Sequence, residues 1–195
     1  FFFKQKTAYE IRNCDWSSDV CSSDLNLLTG RALHAAAKLP DGRVMVAGGT
    51  SSLVDTTSAI TSTLNSVEIY NPTTGLWTAG PAIGGRRLAP ALTTLSTGRV
   101  MVSGGVEVGF LFGIPLSASS TTAVQLYNPA TNTWGAGAAM PAGRAGHQFN
   151  QVTLADNRVL LTGGIAVTSL VSAATDGPTA RADVYNPATN TRVTT

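Results

Sequence analysis

Arg31, Arg87 and Arg144 recur at nearly even spacing along a chain of 195 residues. Arginine suits the capture of a carboxylate, a sulfate or an acidic sugar, because its planar fork offers paired N–H donors. It serves equally well as a scaffold donor to backbone carbonyls, and one arginine per repeat favours that use. His34 and His147 stand three residues after two of these arginines. A shared metal needs convergent ligands at short distance, which two histidines at equivalent positions of different repeats do not supply. Asp55 and Asp176 lie in Ser/Thr-rich stretches, and isolated aspartates are a weak calcium signal. No serine stands in a nucleophile motif. The ligand-binding candidates are therefore Arg31, Arg87, Arg144, His34 and His147, with no catalytic residue, metal or cofactor assigned.

Both cysteines, Cys14 and Cys21, fall in residues 1–25, FFFKQKTAYEIRNCDWSSDVCSSDL. This stretch resembles the in-frame translation of an indexed short-read sequencing adapter, with Arg12 and Asn13 where the variable barcode sits. Segments of that kind are set aside before the fold is considered. The expectation is a non-native segment over residues 1–25, no native cysteine, and no disulfide. Nor does the stretch read as a signal peptide, since Lys4 and Lys6 follow an apolar run of only Phe1, Phe2 and Phe3.

Residues 26–195 are enough for one ordinary domain. Ten basic side chains against seven acidic ones leave a balance of about +3, too small to imply a nucleic acid or an anionic membrane as partner. No apolar run is long enough to span a bilayer. A single lysine and no cysteine in this part are common in exported bacterial proteins and also compatible with a cytosolic one; the expectation is an extracellular or periplasmic location.

What positions the arginines is a unit repeated three times. Arg31, the run Val44-Met-Val46, Gly48-Gly49, Tyr70-Asn-Pro72 and Trp77 make the first copy. The second has Arg87, Val100-Met-Val102, Gly104-Gly105, Tyr127-Asn-Pro129 and Trp134. The third has Arg144, Val159-Leu-Leu161, Gly163-Gly164 and Tyr185-Asn-Pro187. The period is about 57 residues, in the range of propeller repeats. Unbroken apolar runs suit strands covered on both faces, so Val44, Val46, Val100, Val102, Val159 and Leu161 are expected to be largely buried. Asp41-Gly42, Thr97-Gly98 and Asp156-Asn157 read as hairpin turns. The three Asn-Pro segments read as a second set of turns.

These motifs resemble kelch repeats, in a form similar to that of exported bacterial proteins. The resemblance implies an all-β fold: an incomplete β-propeller of about three four-stranded antiparallel blades, near residues 30–80, 86–137 and 143–195. Two positions depart from the pattern: Arg192 stands where the third copy should carry Trp, and Pro90 where the others have His. In such a blade the second-to-third loop and the blade-to-blade connection share one face. There the long loops 50–66, 106–122 and 165–181 gather, and there binding is expected. Loop 106–122 holds Phe110, Leu111, Phe112, Ile114 and Leu116; this cluster reads either as a partner-binding patch or, the favoured expectation, as a segment that folds back over a neighbouring blade.

The function implied is a non-catalytic module that binds a protein or a glycan through this face. The alternative is the propeller of an exported copper radical oxidase similar to galactose oxidase, or of a carbohydrate-active enzyme, with its centre outside this sequence. The repeats hold no cysteine and no Tyr-His pair, which such an oxidase site would use. Since closed propellers need about four to eight blades, three blades should expose two radial faces and self-associate.

Overall fold

The computed structural model describes residues 26–169 and 177–194. Residues 1–25, with both cysteines, and Asp176 lie outside the described residues.

The first blade consists of β1 (Ala35–Lys38), β2 (Val44–Ala47), β3 (Val67–Asn71) and β4 (Leu76–Gly80), hydrogen-bonded in that order and antiparallel throughout. A short helix, α1 (Thr56–Thr61), sits in the long loop between β2 and β3. Then follows β5 (Arg87–Leu88). The second blade is β6 (Ala91–Thr94), β7 (Val100–Ser103), β10 (Val124–Asn128) and β11 (Thr133–Ala136). Its long loop is itself a hairpin, β8 (Val106–Leu111) and β9 (Ile114–Ser120), whose first strand also pairs with β5. The third blade is β12 (Gln151–Thr153), β13 (Val159–Thr162), β16 (Ala182–Asn186) and β17 (Thr191–Thr194). Its long loop carries the short pair β14 (Ile165–Ala166) and β15 (Gly177–Pro178).

Register is the same in every blade. Val44, Tyr70 and Trp77 lie opposite one another across blade one. Val100, Tyr127 and Trp134 do so in blade two, and Val159, Tyr185 and Arg192 in blade three. Local chemistry fixes the turns. Leu39, Leu95 and Leu154 each accept from the residue at the left-handed corner, Gly42, Gly98 and Asn157. Asn71, Asn128 and Asn186 each accept a backbone N–H two residues on, closing Asx turns at about 3 Å.

Alternation along each strand gives a blade two apolar faces, and the core lies between blades. Met45 and Ile69 of blade one meet Leu92, Val100, Val102 and Tyr127 of blade two. Met101 and Leu126, on the other face of blade two, meet Val159, Leu161 and Tyr185 of blade three. Five of the six apolar-run residues expected to be buried are so: Val46, Val100, Val102, Val159 and Leu161. Val44 is only half-buried: among the described residues no blade covers its face of blade one, and the segment at Leu28 and Thr29 reaches that face only at Glu68, opposite Val46.

Candidate functional site

Every blade-to-blade connection pairs with the start of its own long loop. Ala32 and Thr50 exchange two backbone hydrogen bonds of 2.9 Å, as do Ala145 and Ile165; Arg87 pairs with Glu107 in the same way of running. The long loops and the arginines therefore do share one face of the fold.

The arginines do not open onto that face. The guanidiniums of Arg31, Arg87 and Arg144 are buried. Arg31 donates to the carbonyls of Gly48 and Ser66 and to Glu68 at 2.5 Å. Arg144 donates to the carbonyls of Leu161 and Arg181 and to Asp183 at 2.8 Å. Arg87 donates to the carbonyls of Ala123 and Gly84. Ser66, Ala123 and Arg181 are equivalent repeat positions, so each guanidinium clips the connection to its own blade at the start of the third strand.

The arginine backbone does a second task. The carbonyl of Arg87 accepts from Gly49 N–H, and that of Arg144 from Gly105 N–H, both at 2.9 Å. The glycine pair of one blade thus latches the arginine of the next. Glycine is required because the first of each pair has φ near +60° and the carbonyl comes very close. A Cβ on Gly48 would stand 2.7 Å from Arg87 O, and one on Gly104 2.2 Å from Arg144 O.

Charge is not evenly matched among the three. Glu68, Gln125 and Asp183 occupy one repeat position, and only the first and last carry a carboxylate. Among the described residues, Arg87 has no ion pair within 4.0 Å. Burial holds its guanidinium below the usual arginine range, offset in part by Glu107.

The two histidines are not brought together. His147 is fully buried between blades two and three, with Nε2 3.0 Å from Ser103 Oγ. Ser103 donates onward to Gln151 at 2.8 Å, and Gln151 donates to Thr93. With the serine proton committed to Gln151, His147 donates from Nε2 and is neutral. Burial first, then the Arg144 and Arg192 charges, lower its pKa to about 4. A Ser–His pair resembles a nucleophile and its base, but both side chains are sealed from solvent and Nδ1 has no orienting partner. It is a polar fill between blades. His34 is half-buried and likewise held below the ordinary histidine range by burial and by Arg31.

Among the described residues no three His, Cys, Asp or Glu side chains cluster as a metal site. Asp55 caps α1 instead, accepting from Ser58 N–H at 2.7 Å.

What the face does present follows the less favoured of the two sequence readings of loop 106–122, an exposed apolar patch. Hairpin β8–β9 stands off the blades with Leu111, Phe112, Ile114 and Leu116 exposed at its tip. Phe112 is 95 % exposed and sits at φ +49°, a conformation unusual for an aromatic residue. The hairpin's base is held. Ser120 N–H donates to Val167 O at 2.7 Å, and Val167 N–H returns to Ser120 Oγ at 2.9 Å. Arg86 lies over the Phe110 ring at 4.8 Å. Folding back describes the base alone, not the tip. The signal was the apolar content of loop 106–122; its projection depends on the Phe112-Gly113 turn, with both residues at positive φ.

No helix of the described residues is long and apolar enough to cross a membrane. No curated protein matches the chain. Residues 31–84 match the family model of the Kelch motif, a span that opens on Arg31 and runs through β4. The described chain is nearly all β; the Kelch-motif match covers its first four-stranded blade, and the second and third blades repeat that blade's topology and register, consistent with a kelch-type propeller fragment.

Proposed function

We propose that this chain is a non-catalytic binding module that takes a partner protein on its long-loop face, through the tip of hairpin β8–β9. The exposed cluster of Leu111, Phe112, Ile114 and Leu116 carries this reading. Four neighbouring apolar side chains on a held base form the kind of patch that marks an interaction site. Aliphatic and aromatic side chains with no charge among them favour an apolar protein surface over an acidic ligand. They also favour it over a glycan, whose hydroxyls would need polar partners. The Kelch motif supports the module reading, since it commonly mediates binding.

Peptides selected from a displayed library on the intact chain test this, with a glycan array run in parallel. Phe112→Ser and Ile114→Ser are expected to abolish binding of the selected peptides while leaving the β-sheet circular dichroism unchanged. Peptides that bind both variants as well as the parent chain, or glycan binding indifferent to the tip, would overturn it.

A further inference from the structure

Each internal blade junction is built from the same parts, and the two outer faces carry the unmatched halves of those parts. In the register of the fold, Met45 and Ile69 correspond to Met101 and Leu126, and then to Leu160 and Val184 in blade three. The first four are buried against a following blade. Leu160 and Val184 are half-exposed, and they lie in one cross-strand row with Val152 and Val193, 54 % and 62 % exposed. The complementary face of blade one is covered at Val46 and Glu68, where the Leu28 and Thr29 N–H groups donate to the Glu68 carboxylate, and is open beyond them. Val44 and Tyr70 are half-exposed there, whereas their equivalents Val100 and Tyr127 are sealed by blade one, and Val159 and Tyr185 by blade two.

Backbone groups show the same complementarity. Gly49 N–H donates to Arg87 O and Gly105 N–H to Arg144 O, so the series continues with Gly164 N–H and the carbonyl of an arginine placed like Arg31. Near the axis, Ala89 N–H donates to Leu33 O and Gly146 N–H to Ala89 O. That series continues with Gly146 O and an N–H placed like that of Leu33.

We propose that the outer face of blade three binds the outer face of blade one of a second copy of this chain. Each half-junction missing from one copy is then supplied by the other, with the geometry already used twice inside the chain. Contacts of this kind are head-to-tail. Two copies that exchange both faces make six blades, within the number that closes a propeller.

Sedimentation of the 195-residue chain tests the pairing. The expected species is a dimer, twice the 20.1 kDa of one chain. Val193→Glu on blade three and Val44→Lys on blade one should each weaken association at least tenfold. Circular dichroism reports whether each variant keeps its sheet. Because the contact is head-to-tail, an equal mixture of the two variants retains one native junction and should associate more tightly than either alone. Phe112→Ser, on the hairpin tip, should leave association unchanged. A parent chain that is monomeric up to on the order of 100 μM overturns the proposal. So does association that survives either face variant, that the mixture fails to restore, or that Phe112→Ser abolishes.

Discussion

Two junctions with one backbone differ in what fills them. The first, between blades one and two, is apolar: Met45 and Ile69 lie against Val100, Val102 and Tyr127, and the Trp134 indole N–H donates to Pro81 O at 2.8 Å. The second adds a buried polar set, His147 with Ser103 and Gln151, and Asp183 between Arg144 and Arg192. The glycine-to-arginine latch is 2.9 Å long in both. Backbone hydrogen bonds, positive-φ glycines and strand register therefore define the blade, and the side chains between blades are exchangeable as long as volume and donors are matched.

Arg192 shows how far that exchange goes. Tyr70 and Tyr127 pack on Trp77 and Trp134 with ring centroids 5.2 and 5.3 Å apart. In blade three the Arg192 guanidinium lies 4.9 Å from the Tyr185 ring and donates from Nε to Ala138 O at 2.8 Å. Ala138 is the repeat equivalent of Pro81. A flat cation thus covers the tyrosine and reaches the preceding blade as the indole does.

The sharpest way to break the comparison is at Asp183. Asp183→Ala leaves Arg144 and Arg192 buried without their carboxylate and should cost about 3–5 kcal/mol in denaturant unfolding. Gln125→Ala, at the equivalent site of blade two, removes a neutral acceptor for Gly84 N–H and should cost about 1 kcal/mol. Equal losses at the two sites would mean that the second junction does not depend on its charges.

Next in size is truncation at one repeat position on a covered and a bare face. Met101→Ala should cost about 2–5 kcal/mol, because it opens a cavity between blades two and three. Leu160→Ala, at the same position of blade three, should cost about 1 kcal/mol in the Val193→Glu background, where no second copy covers it. Thermal melts of the two variants check this.

Acid should act on the second junction through His147, and in the same direction on His34 of the first repeat. The His147 pKa is lowered to about 4 in the folded chain, below the unfolded value of about 6.5. Between these limits the unfolded state binds more protons, so stability falls as pH drops from about 6.5 towards 4. The loss should be about 2–3 kcal/mol and should shrink in His147→Gln, read by urea titrations across that range. The smallest effect is expected from Arg192→Trp. Asp183 keeps Arg144 as its partner, and the aromatic pair of the other blades is restored, so the melting temperature should shift by less than about 1 kcal/mol would give.

Strands and turns were legible because backbone-demanding residues mark them: Gly and Asn at positive φ, Asn-Pro corners, and apolar runs buried on both sides. The arginine role was legible by repetition, since a ligand site has no need of one copy per blade. That the guanidinium clips its own blade while its carbonyl joins the preceding one was not, because the acceptors are main-chain atoms. The departure at Arg192 was visible, but its stacking on Tyr185 was not. His147, Ser103 and Gln151 were illegible as a group, since they come from different blades and have no counterpart set at the first junction. The long loops follow no period: among the described residues one carries a short helix, one forms a hairpin and one carries a pair of two-residue strands.

That order comes from stacking between blades is tested most directly by hydrogen exchange, followed by mass spectrometry on the Val193→Glu chain at low concentration. Covered on both faces, β7 and β10 should exchange slowest, with β2, β3, β13 and β16 faster because each of their blades has one face that no other blade covers. Slowest exchange in blade one or three, or equal protection in all three blades, would contradict it.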